Sequence, residues 1–500
     1  MSVRTSSAER TAARSARPDH PTVVVAALCL GGLVAALTQT MVIPIQAELP
    51  RLLAATVADA AWVITITLLA GAVTMPISGR LADIHGKQRV LLGSGLLLVA
   101  GSVVSALSSG LFSLLVGRGL QGVAMGFIPV GIALLREVMP PEKASGAVAT
   151  MSATLGVGGA IGLPLSAWIA QSGDWHNLFW VSSAAALVVV VAVATLVPNT
   201  PPAQRARFDV PGAVGLALGL SLFLVGISKA STWGWTSGRT VGAIVAGLAV
   251  LVVWGAMQLR TANPLVDLRS TARTPVLLTN IAAVAVGMGM MAQAIVMPQL
   301  LELPSATGYG LDQSILAAGL WMAPGGLMML LFAPVASRII DSRGAKTALA
   351  LGAAVLGFGY VVAFLLMSAP WQVMVATLVI SAGVGIGYAA MPTLVLDASP
   401  AEEAGSAVGV NTLMRSLGTA IASAVMGTLL SSSTQPLGSV RVPTEGAFEA
   451  CFVFGAIAAF VGVAVTLTIP RRPSQAHSDA DEVDEAGEQA SARPTAQPAT

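Results

Sequence analysis

Cysteine and histidine are scarce in this 500-residue chain, with two of the first and four of the second. Cys29 and Cys451 lie in apolar stretches near opposite ends and read as packing residues, without framework or metal-ligand spacing. His20, His85, His176 and His477 fall in tails or loops, so no His/Cys/carboxylate cluster suggests a metal. Charge is also sparse, at 10% of residues against 55% hydrophobic, a balance no soluble surface tolerates. No Gly-x-x-x-x-Gly-Lys-Ser/Thr run is present, which argues against direct ATP coupling. Nothing supports enzymatic catalysis, and neither a cofactor nor a nucleic-acid partner is expected.

What the chain does have is a series of apolar runs of spanning length. The first, from Pro21 to Ile45, is too long for a signal-peptide core and is expected to remain as a span. Further runs bring the expectation to about fourteen helices. With the amino terminus inside, Lys and Arg concentrate in the loops after even-numbered helices and in the tails, Arg205 among them. The other side holds only Arg51, Lys229, Arg239 and Arg441. The positive-inside bias therefore predicts a multi-pass plasma-membrane protein with both termini cytoplasmic. Trp175, Trp233, Trp235 and Trp371 would form the outer aromatic belt.

The chain also repeats itself. Gln39, Val42, Pro44, Glu48, Leu49 and Pro50 recur in register as Gln293, Val296, Pro298, Glu302, Leu303 and Pro304. Pro76, Arg80, Asp83 and Gly86 recur as Pro334, Arg338, Asp341 and Gly344. The two offsets agree to within about four residues, which marks duplication of one unit. Parallel halves of apolar helices are the mark of a secondary transporter that rocks about a central site. The expected layout is a disordered tail over 1–21, a six-helix bundle over 22–198, two inserted helices with their loops over 199–274, a second six-helix bundle over 275–470, and a disordered tail over 471–500.

Three stretches carry a family resemblance. Gly79-Arg80-Leu-Ala-Asp83-Ile-His-Gly86-Lys87-Gln-Arg89, expected in the cytoplasmic turn between helices 2 and 3, resembles the loop signature of the major facilitator superfamily. Glycines permit close helix approach there, and an acid among bases can latch one rocking state. Gly79, Arg80, Asp83, Gly86, Lys87 and Arg89, with Arg338, Asp341 and Gly344 of the second copy, are the expected gate. Arg118 in Gly117-Arg118-Gly-Leu-Gln121-Gly122 resembles the superfamily's second signature, which the resemblance links to proton transfer; a structural donor to backbone carbonyls is the other reading. Gly158, Gly162 and Pro164 in helix 5 resemble the antiporter glycine-proline signature, although Pro164 sits one place late and Ser166-Ala167 replace a glycine pair.

The resemblance implies an all-α membrane protein of the major facilitator fold, two six-helix repeats with two additional helices between them. It extends from about residue 22 to 470 and is similar to the fourteen-helix drug:proton antiporters. Many of those carry an Asp in helix 1 where this chain reads Leu37-Thr38-Gln39-Thr40. Glu48 and Glu302 are the substitute proton acceptors if they are partly buried, and exposed loop acids otherwise. Helices 1 and 9 should face the central cavity, lined by Gln39, Thr40, Gln293 and Met297, with Arg415 of helix 13 as a second intramembrane cation able to meet an anionic group or backbone. The methionines of helices 9 and 10 suit varied apolar ligands and are also ordinary apolar filler. The expected function is proton-coupled export of hydrophobic or amphipathic small molecules by a monomer. Alternatives are import or facilitated passage of a polar metabolite, or a non-transporting receptor or scaffold.

Overall fold

The computed structural model describes residues 20–470 except 44, 46, 47, 204, 205 and 439. Arg205, residues 1–19 of the tail expected over 1–21, and the tail expected over 471–500 lie outside the described residues. Within them, 14 helices are long and apolar enough to cross a membrane. The first six are α1 (Pro21–Thr40), α2 (Trp62–His85), α3 (Lys87–Ala106), α4 (Leu111–Val138), α5 (Pro141–Ser172) and α6 (Asn177–Leu196). Two follow as α7 (Val210–Trp233) and α8 (Gly238–Gln258). The last six are α9 (Thr274–Glu302), α10 (Ile315–Arg343), α11 (Ala345–Leu365), α12 (Pro370–Ala398), α13 (Ala404–Ser432) and α14 (Glu445–Thr468).

Local chemistry sets many of the boundaries. Proline occupies the first turn of α1, α5, α7, α9 and α12, where its missing N–H costs nothing. Asp209, Ser237 and Ser314 cap α7, α8 and α10 by accepting from backbone N–H groups of the first turn. Gly86 and Gly344, the repeat-related glycines, separate α2 from α3 and α10 from α11 at φ +94° and +83°. Only glycine adopts that conformation without strain. One expectation needs correction here. The signature residues Arg80, Asp83 and His85 are not in a loop but in the last two turns of α2, and Arg338 and Asp341 likewise end α10. Polar residues end the apolar run earlier than Gly86 and Gly344 end the helix.

The halves meet along two seams, α2 against α13 and α5 against α10. α7 packs on both α2 and α13, so the insert lies across the first seam, while α8 touches mainly α7 and is only 11% buried over its apolar window. Leu248, Val252 and Val253 of α8 are exposed, as a lipid-facing surface requires. Between α13 and α14 a short antiparallel hairpin pairs Thr434–Leu437 with Val440–Pro443, and the Tyr309 hydroxyl donates to the Pro443 carbonyl. No sequence signal announced this hairpin.

Candidate functional site

At the Gly86 end, α2 and α13 touch through glycine. A Cβ on Gly79 would stand 2.1 Å from the Gly405 carbonyl oxygen, and one on Gly405 2.5 Å from the Gly79 oxygen. One turn further, a Cβ on Gly409 would meet the Met75 carbonyl at 2.6 Å. These are backbone-to-backbone contacts, and no side chain can move aside to relieve a substitution. The Asp83 carboxylate completes the closure. Fully buried, it accepts from the N–H groups of Gly405 at 3.0 Å and Ser406 at 2.9 Å, the first residues of α13. A carboxylate at a helix N-terminus gains from both the unpaired N–H groups and the helix dipole. Asp83 therefore fastens one half to the other.

The other signature residues take different places. Lys87 is buried and donates to Glu137 at 2.6 Å within its own half, so the expected acid–base latch is a carboxylate on backbone N–H groups instead of an ion pair. Arg80 is buried and lines a polar cleft with Asp267 and Glu403. Arg89 and Arg338 are exposed. Asp341, also exposed, accepts from the Ser145 hydroxyl at 2.6 Å near the start of α5. Arg136 and Asp397 add an ion pair between the halves at 2.6 Å, each more than a third exposed.

A cavity begins one turn from this closure, between the halves. Its first lobe, about 210 Å³, lies among α1, α2, α4, α5, α7, α9, α12 and α13 and is lined by Gln39, Thr65, Leu68, Met75, Met125, Tyr388 and Arg415. Its second lobe, about 200 Å³, lies among α1, α5, α9, α10 and α12, with Thr40, Gln293, Met322, Met329 and Ser381 in its wall. Gln39, Leu155 and Met290 belong to both. Gln39 donates to the Met125 sulfur at 3.0 Å and Gln293 to Ser381 at 3.3 Å. The lining is mostly apolar, as binding sites for small molecules are. Tyr388, Thr65 and the α7 residues Leu224, Val225 and Ser228 were not singled out in the sequence. A long apolar helix outside the repeat carries no mark of facing inward.

Two sets of expected residues lie elsewhere. Met297 lines neither lobe and is fully buried in the core of the second half, where α9 has passed the cavity and packs with Leu300 and Leu301. Glu48 and Glu302 are exposed, and Glu48 pairs with exposed Arg51 at 3.4 Å, so neither acid is a buried acceptor facing the cavity. The repeat is broken there, because α1 stops at Thr40 whereas α9 continues to Glu302.

Arg118 is buried and donates to three neutral acceptors, the carbonyls of Val63 and Thr38 and the Gln121 side chain, at 3.2, 3.0 and 2.8 Å. It ties α1 and α2 to α4. Gly158 and Gly162 seat α5 on α1; Cβ atoms there would meet the Leu33 oxygen at 2.9 Å and the Thr40 hydroxyl at 1.9 Å. Pro164 continues within α5, half-buried.

Two six-helix halves around one cavity, in contact at one end of it, are the layout of a secondary membrane transporter. Comparison with known proteins agrees. The profile of the Major Facilitator Superfamily matches residues 28–423 and again 279–497, and the chain belongs to that superfamily, whose members move small molecules and are not enzymes. An uncharacterized MFS-type transporter of Mycobacterium tuberculosis is 29% identical over 82% of this chain, which spans 60% of that relative's length. A multidrug resistance protein B homolog from the same organism is 28% identical over 67% of this chain and 62% of its own. Among solved structures, the proton:xylose symporter XylE bound to 6-bromo-6-deoxy-D-glucose superposes with a TM-score of 0.63 at 15% identity, covering 90% of this chain and 96% of that one, a likeness of fold.

Proposed function

We propose that this chain is a proton-driven exporter of hydrophobic or amphipathic small molecules, working as a monomer in the plasma membrane with both termini cytoplasmic. The observation that carries the reading is the apolar two-lobed cavity between the halves, sealed at the Gly86 end by Gly79, Gly405 and Asp83. With that end cytoplasmic, the cavity is shut off from the cytoplasm in this conformation, and release of Asp83 from α13 is the step that readmits it. The relative named for multidrug resistance supports export; proton coupling rests on the resemblance of the Gly117–Gly122 segment to the superfamily's second signature, although Arg118 itself is bonded as a structural donor.

The test is transport into energised inside-out vesicles carrying the full chain, with fluorescent amphipathic probes, with and without a protonophore. Accumulation that the protonophore abolishes is the expected result. Accumulation indifferent to the protonophore would establish a facilitator, and gradient-driven depletion an importer; either would overturn the proposal.

A further inference from the structure

Two buried arginines in this bundle are treated differently. Arg118 gives three donors to carbonyls and Gln121, whereas the Arg415 side chain makes no hydrogen bond or ion pair with any described residue. Arg415 is 5% exposed, and its guanidinium carbon stands 4.3 Å from the centre of the Tyr388 ring. Its remaining surface faces the first lobe. A guanidinium in an apolar site without an acceptor is costly, and a cation–π contact offsets only part of that cost.

The rest of the lobe sharpens this. No Asp or Glu lines either lobe among the described residues, so Arg415 is the one formal charge there. Thr412, Ser416 and Thr419 donate their hydroxyl protons to carbonyls of their own helix, and the Tyr388 hydroxyl donates to the Met290 sulfur. The guanidinium is left as the strong donor, in a geometry suited to a carboxylate or sulfonate.

We infer that Arg415, braced by Tyr388, binds the head of an amphipathic organic anion whose apolar body lies against Leu68, Leu69, Ile128 and Met291. The inference rests on reading the cavity as the substrate site and names the substrate class. Neutral amphipaths bind more weakly, and cations are repelled.

The test is equilibrium binding of 1-pyrenebutyrate, fully ionised, to the full chain in nanodiscs, against its neutral amide. The anion binds tighter than the amide by about tenfold or more, since a charged hydrogen bond replaces a neutral contact. Arg415→Gln abolishes that preference and Arg415→Lys keeps most of it. Thr419→Asp, which sets a carboxylate one turn along the same lobe, abolishes it too, even if Arg415→Gln fails to fold. Equal binding of anion and amide, no saturable anion binding, or a preference that survives both Arg415→Gln and Thr419→Asp would overturn the inference. Vesicle transport is scored separately: an anion bound through Arg415 yet not moved by a proton gradient leaves this site standing and removes the export reading.

Discussion

The two copies of the Pro-Arg-Asp-Gly motif share a sequence and an end of the bundle, but not a job. In the first copy Asp83 is buried and held by two backbone N–H groups of the opposite half. In the second, Asp341 is exposed and accepts one hydroxyl from Ser145. The helices beneath differ in the same sense. Next to the motif, Gly79 lies backbone to backbone against Gly405, whereas a Cβ on Gly146 would meet only the Ser337 side chain, at about 3.9 Å; the backbone contact of the second seam lies further along, where a Cβ on Gly326 would stand 2.4 Å from the Gly156 oxygen. Charge is worth more where water is excluded, so one motif is a fastening and its duplicate a weak tether. Sequence symmetry therefore does not give the two motifs equal shares in holding the halves together.

That asymmetry can be broken at its strongest point first. Gly79→Ala puts a methyl into the Gly405 carbonyl, and neither backbone can yield; transport should fall by about 100-fold or more, with the Gly86 end held open. Initial rates in vesicles, together with alkylation of a cysteine placed at that end, measure this. Asp83→Asn keeps the shape and loses the charge on the α13 terminus, so transport should drop by about 10- to 100-fold, the range of one or two charged hydrogen bonds. Asp341→Asn should cost less than about threefold, and a double-mutant cycle with Ser145→Ala should give a coupling under about 1 kcal/mol. Arg136→Ala should be smallest, because its pair with Asp397 is more than a third exposed, and the residual effect should vanish at high salt.

The helix count and the duplicated halves were legible because a bilayer forces long apolar runs and a repeat is visible without any structure. Less legible was where helices end. The polar turn Arg80–His85 resembles a loop in composition but is helical, since only Gly86 has the backbone freedom to stop it. Repeat logic also overreached at α1 and α9, whose echo continues in sequence after their helices diverge, and it placed Met297 in a cavity that α9 had already left. Arg415 was conspicuous as a charge in an apolar run. Its partner Tyr388 was not, because a tyrosine among small apolar residues on α12 signals neither burial nor an arginine across the cavity.

The most direct test of unequal copies is a distance measurement at the first seam. Spin labels on cysteines replacing exposed His85 and Glu402, with Cys29 and Cys451 removed, report the separation of α2 from the start of α13. Unequal copies give a dominant short distance in the parent, a clear gain of a long-distance population with Asp83→Asn, and a distribution close to the parent with Asp341→Asn. Equal shifts from the two substitutions, or a larger one from Asp341→Asn, would contradict that inequality.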